Sequence, residues 1–187
     1  MRNILTISLI CILGIQLASG QHHIKNQKFF DFSIGAYDTF KGSLALGFKI
    51  GKYNKNLNSY QIGFQYKYKL APAQLSEISS LNFSVPVSQY MFDYTADFNI
   101  IKNINSTRFF RFTTGAIAGF ESINNEKTYI NQLLIAKKSD IVLGVKLGVE
   151  AEFSPFILGV SEHINLLSNY SKFSTMPYIG IRLHLKN

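Results

Sequence analysis

Alternation of large apolar residues with small or polar ones recurs along most of this chain, and it restricts the fold more than any motif does. Leu44, Leu46, Phe48 and Ile50 alternate with Ala45, Gly47, Lys49 and Gly51. Tyr60, Ile62, Phe64, Tyr66, Tyr68 and Leu70 alternate with Gln61, Gly63, Gln65, Lys67 and Lys69. Ile141, Leu143, Val145, Leu147, Val149, Ala151 and Phe153 are interleaved with residues that include Gly144, Lys146, Gly148, Glu150 and Glu152. Ile179, Ile181, Leu183 and Leu185 close the chain against Gly180, Arg182, His184 and Lys186. Successive side chains of a strand point to opposite faces, so each run is a strand with one oily face and one small or charged face.

Weaker runs complete the set. They cover residues 29–37, 90–100, 110–121 and 156–166, the last broken by Glu162 on the apolar parity. Apolar parity switches between Leu81, Phe83, Val85, Val87 and Tyr90, Phe92, Tyr94, which predicts a bulge or turn near Pro86 to Gln89. The count comes to eight strands. The links at 54–58, 101–107 and 154–155 are short. Those at 71–88, 123–139 and 167–177 are longer, with a short first loop near 38–42. Short turns at one end, longer loops at the other and an even strand number describe an outer-membrane barrel. The prediction is an all-β fold, an eight-stranded antiparallel up-and-down transmembrane β-barrel with a filled polar interior. Tyr53, Phe109, Phe110 and Phe153 fall near strand ends, where headgroup girdles sit.

Alternation alone leaves open which face points outward, because a lipocalin-like soluble barrel would turn its oily face inside. Two features favour the membrane. The polar face is rich in glycine, which suits a cramped interior, and its charges are of mixed sign, as ions that must pair in a narrow lumen require. The interior set is Lys49, Lys67, Arg111, Glu121, Lys146, Glu150 and Arg182.

The first twenty residues read as a secretory leader. Arg2 gives the positive start, Ile4 to Ile15 the apolar stretch, and Ala18-Ser19-Gly20 the small residues before a cut ahead of Gln21. The apolar stretch is shorter than the about 20 residues a spanning helix needs. Cys11 is poorly placed for lipidation, with bulky Ile10 before it. Residues 21–187 then form one domain with 18 basic and 11 acidic residues and no cysteine. The basic residues are scattered singly, which argues for ordinary solvated or paired charges rather than a nucleic-acid face.

Candidate chemistry is sparse. His163 and His184, with Ser161, Glu150 and Glu152 nearby in parity, would suit a histidine base and a serine nucleophile; a satisfied interior network is the favoured account of them. The adjacent pair His22-His23 is a weak metal ligand set. No phosphate loop, HExxH, CxxC or dinucleotide fingerprint occurs. The expectation is a protein that is not an enzyme and takes no cofactor or metal.

Residues 115–124, GAIAGFESIN, resemble the glycine- and alanine-rich strand of the conjugative transposon protein TraO family, on Gly115, Gly119, Phe120, Glu121 and Asn124. Residues 85–90, VPVSQY, and the closing Pro177, Gly180, Ile181, Arg182 and Leu183 are similar to that family's neighbouring and last strands. The chain departs from the pattern in ending Leu185-Lys186-Asn187 and in carrying Asn131-Gln132-Leu133-Leu134 in the loop 123–139. The resemblance implies a structural or assembly component of a bacterial conjugative DNA-transfer apparatus in the outer membrane, with no catalytic residues to carry over. Its partners would be outer-membrane lipid and other proteins of the apparatus, held by the loops 71–88, 123–139 and 167–177 or by the periplasmic turns. No direct nucleic-acid binding is expected, because an eight-stranded lumen is filled by side chains. The alternative is a free-standing small barrel, adhesin-like or lipid-modifying, with no role in conjugation.

Overall fold

The structure, a computed structural model, describes residues 26–38, 42–74, 82–101, 108–124 and 139–185. The expected leader and cleavage site, the His22-His23 pair and most of the loop 123–139 lie outside the described residues. Eight strands follow one another: β1 (Lys28–Gly35), β2 (Ser43–Tyr53), β3 (Ser59–Gln74), β4 (Asn82–Asn99), β5 (Arg108–Ile123), β6 (Asp140–Phe153), β7 (Phe156–Leu167) and β8 (Phe173–His184). Each pairs antiparallel with the next, and β8 pairs back on β1 from Phe29↔His184 to Gly35↔Tyr178, so the sheet closes into a barrel.

The side-chain period puts the oily parity outside. Phe32, Phe48, Ile62, Phe64, Phe92 and Ile179 are exposed on the outer wall, while Asp31, Lys49, Gln61, Asp93, Arg111 and Arg182 are buried inside. A barrel whose outer wall is apolar and whose interior is polar is the transmembrane form of the fold.

Three expectations are corrected. No bulge interrupts residues 86–89: β3 and β4 pair without a break from Ser59↔Asp97 to Gln74↔Asn82. What switches there is the interior, because Val85 and Val87 point inward and join Ala71 and Ile123 in an apolar cluster. The irregularity lies elsewhere, between β6 and β7, where Leu143 pairs with Leu167 but Gly144 pairs with Asn165. The links at the long-loop end are also shorter than predicted, since 71–74 and 82–88 belong to β3 and β4, and 173–177 to β8. Tyr53 and Phe109, finally, are not girdle residues. They are only 1% and 5% exposed and close the short-turn end from within, packed with Phe29 and Leu57. Phe110 and Phe153 do face outward.

Leu57 reaches that cluster because the 54–58 turn folds sharply: Asn54 Oδ1 accepts from the amides of Asn56 and Asn58, and Leu57 takes a φ of 59°. The lumen is thus a polar column between two apolar stoppers.

Candidate functional site: the sealed interior

The column is built in three tiers. At the short-turn end, Arg182 on β8 holds Asp31 on β1 through Nε at 2.7 Å and Nη2 at 2.6 Å. Its Nη1 donates to Glu152 at 2.7 Å, and Nη2 lies 3.0 Å from Glu150. Arg111 on β5 also binds Glu152, donates to Asn99 at 3.0 Å and to the Tyr53 hydroxyl at 3.3 Å. The Tyr178 hydroxyl donates to Glu150 at 3.0 Å. Two fork-shaped guanidinium groups therefore bridge three buried carboxylates, the fork geometry in which arginine pairs best.

In the middle tier, Lys146 Nζ is 2.8 Å from Asp93, which also accepts from Gln65 at 2.5 Å. Lys49 is buried beside them: a Cβ added at Gly63 would meet both the Asp93 carboxylate and the Lys49 stem. Asp97 accepts from Ser59 at 2.7 Å, from Thr113 at 2.8 Å and from Gln61.

The third tier faces the long-loop end. Lys67 Nζ lies 2.8 Å from His163 Nδ1 and donates to Ser174 at 3.4 Å. Glu121 accepts from Gln89 at 3.2 Å and then grips the β7–β8 turn. The Ser168 hydroxyl donates to it at 2.8 Å, the Asn169 amide at 2.6 Å and the Tyr170 amide at 3.2 Å. The clamp lays Tyr170 over the cluster of Ala71, Val85, Val87 and Ile123. Lys69 fills the remaining gap, 2.8 Å from Asp38 and over the rings of Tyr37 and Tyr170. Burial, with Asp38 next to it, pushes the Tyr37 hydroxyl well above the usual tyrosine range.

All seven residues singled out for the interior, Lys49, Lys67, Arg111, Glu121, Lys146, Glu150 and Arg182, are buried there. Arg111, Glu150 and Arg182 meet in one tier, while Glu121 stands apart from them in the third tier. That set omits four carboxylates that serve as partners: Asp31, Asp93, Asp97 and Glu152. Each obeys the same parity. Asp31 sits between Phe30 and Phe32, Asp93 between Phe92 and Tyr94, and Asp97 between Ala96 and Phe98.

The two histidines are not brought together. His163 sits in the third tier, and His184 lies at the far end of β8, 3.2 Å from the Tyr53 hydroxyl. Ser161 Oγ is 3.4 Å from His163 Nε2, but the other ring nitrogen faces a lysine, not the carboxylate that orients a catalytic histidine. Both residues are buried inside the wall. No cluster of three metal-ligating side chains occurs among the described residues.

The segment 115–124 has a distinct place in this architecture. Gly115 and Gly119 lie against β4, where an added Cβ would fall 2.7 Å from Thr95 Cα and 2.7 Å from Met91 Cα and closer still to the carbonyls of Tyr94 and Tyr90. Phe120 faces outward and Glu121 holds the clamp. Asn124 takes a φ of 61°, a left-handed turn that asparagine tolerates, as the chain leaves β5. The conjugative transposon protein TraO family matches this chain over residues 25–185, the whole barrel. The chain belongs to that family.

Within the TraO family assignment, solved structures add the fold alone. Neisserial surface protein A is 13% identical with a TM-score of 0.53, covering 84% of this chain and 95% of that one. The Yersinia pestis outer membrane protein Ail, in a phospholipid bilayer nanodisc, is 14% identical with a TM-score of 0.51, covering 85% and 100%. No curated protein sequence matches the TraO chain significantly.

Proposed function

We propose that this TraO-family chain is a structural or assembly component of a conjugative DNA-transfer apparatus, resident in the bacterial outer membrane and exported by the leader 1–20. It anchors other proteins of the apparatus by its long-loop end or its short turns. It performs no catalysis and does not conduct or bind the DNA.

The sealed lumen carries the last statement. Aqueous channels appear in barrels of about 16 strands, whereas eight leave room only for side chains. Here Arg111, Arg182, Lys146 and Lys67 fill that room with paired groups, and Tyr53 with Phe29 at one end and Tyr170 at the other stopper it. A single-stranded DNA path uses a basic groove with stacking aromatics. The exposed aromatics here, such as Phe92 and Tyr94, lie on the outer wall instead.

Two measurements test the proposal together. Deleting the gene from a donor strain is expected to lower transfer frequency, with recovery on complementation. The purified barrel in planar bilayers is expected to show no stable conductance. Undiminished transfer would remove the assembly role, and a reproducible nanosiemens channel from the monomer would make the barrel a conduit.

A further inference from the structure

The two ends of the barrel differ in charge. At the long-loop end the described charges are mixed, with Asp38 on Lys69 and with Asp140, Glu162 and Lys172 near the rim. At the short-turn end the exposed charges among the described residues are Lys28, Lys52 and Lys55. Every carboxylate near that end, namely Asp31, Asp97, Glu150 and Glu152, is buried and engaged inside. In sequence, 51–58, 99–108, 153–156 and 184–187 contain no aspartate or glutamate at all.

Lys28 and Lys52 stand directly opposite each other across β1 and β2. Both are exposed on the outward parity, one step beyond Phe30 and Ile50 of the apolar wall. Like charges directly opposite on one face of a sheet destabilise it. No carboxylate among the described residues answers this pair. Tyr60, opposite Lys52 on β3, is exposed on the same row and adds a hydroxyl.

We propose that Lys28 and Lys52 together hold the phosphate of a glycerophospholipid in the leaflet at the short-turn end. This rests on the membrane placement proposed above. A lysine at the edge of an apolar band lays its four-carbon stem on that band and puts its ammonium at headgroup level. Two ammonium groups and a phenol on adjacent strands then offer donors to one phosphate, whose negative charge relieves their mutual repulsion. An acidic protein segment fits less well, because it would have to displace the headgroups that line this side of the wall.

The test uses the leaderless chain refolded in a non-ionic detergent, with bound lipid counted by native mass spectrometry. Wild type is expected to retain phosphatidylglycerol over phosphatidylcholine, whose choline cation opposes the lysines. The K28Q/K52Q double variant is expected to bind phosphatidylglycerol about thirtyfold more weakly, while K55Q at the turn and K172Q at the other end bind as wild type. Equal retention by K28Q/K52Q would overturn the site, and so would equal loss in all the variants, which would mean diffuse attraction. Displacement of the lipid by an equimolar amount of inorganic phosphate would reassign the pair to free anions. Insertion into lipid vesicles, followed by the gel shift between heated and unheated samples, separates the two readings. If wild type stays out of vesicles, both fall; if it inserts and K28Q/K52Q binds unchanged, only the phosphate site falls.

Discussion

Arg182 touches Asp31, Glu150 and Glu152, so replacing it takes the cation from Asp31 and leaves Glu150 and Glu152 to Arg111. Removing one partner of a buried ion pair costs about 3–5 kcal/mol because the other charge is left unpaired. Arg182→Met is expected to destabilise the barrel by at least that range, read as a lower urea midpoint in detergent or bilayers. An unchanged midpoint would mean that those carboxylates are uncharged in the folded wall. Glycines differ in the same way. At Gly148 an added Cβ meets Val160 O at 3.0 Å and Ser161 at 3.3 Å, a squeeze that a small shift relieves. At Gly119 it meets the β4 backbone itself. Gly119→Ala is therefore expected to lose more stability than Gly148→Ala, by about 1–3 kcal/mol, in the same unfolding measurement. Parity along the strands is enough to mark Lys146, Arg182 and Gly148 as interior residues. It leaves unstated which charge meets which, because Lys146 with Asp93 and Arg182 with Glu150 are pairs set by the lumen's curvature, not by spacing along one strand.

On β3, the outward row runs Tyr60, Ile62, Phe64, Tyr66, Tyr68, and Phe64 stands between Phe48 of β2 and Phe92 of β4. Exposed apolar neighbours on both sides put Phe64 within the apolar band. Phe64→Arg is expected to cost about 2–4 kcal/mol there, seen as a smaller folded fraction on unheated gels. Leu147 is a poorer probe of the lipid face, since it stands opposite Glu162, which would receive an introduced arginine. Glu162 itself accepts from Thr175 at 2.6 Å, which accounts for an acid on the apolar parity of β7. The β7–β8 turn is the element that depends most on one side chain. Glu121→Ala removes its clamp and is expected to speed hydrogen exchange at the Asn169 and Tyr170 amides about tenfold or more. Exchange at the wild-type rate would show that Tyr170 packing alone holds the turn. The parity switch near Pro86 is plain in the sequence, yet a bulge is the wrong reading of it. A period-two pattern records which residues are apolar. It does not tell that β4 continues straight while the lumen beside it turns from polar to apolar.

For the molecule as a whole, strand number and the alternation of short and long links are enough to specify a closed barrel, because a sheet with one oily face and an even number of strands hides its edges only by closing. The apolar stoppers are not legible in this way. Tyr53 and Phe109 look like rim residues until the inward parity and the turn 54–58 bring them together with Leu57. The seam between β1 and β8 has an implication for the order of events in folding. Asp31 and Arg182 face each other directly across it. Before β8 arrives, Asp31, Glu150 and Glu152 share only Arg111 among the basic groups of their tier, so the unfinished sheet is held open by its own negative charge. The strand that joins the two edges also delivers the missing cation. Joining the edges and supplying a second guanidinium are then a single step, so a sheet lacking β8 has neither a closed wall nor a cation on Asp31.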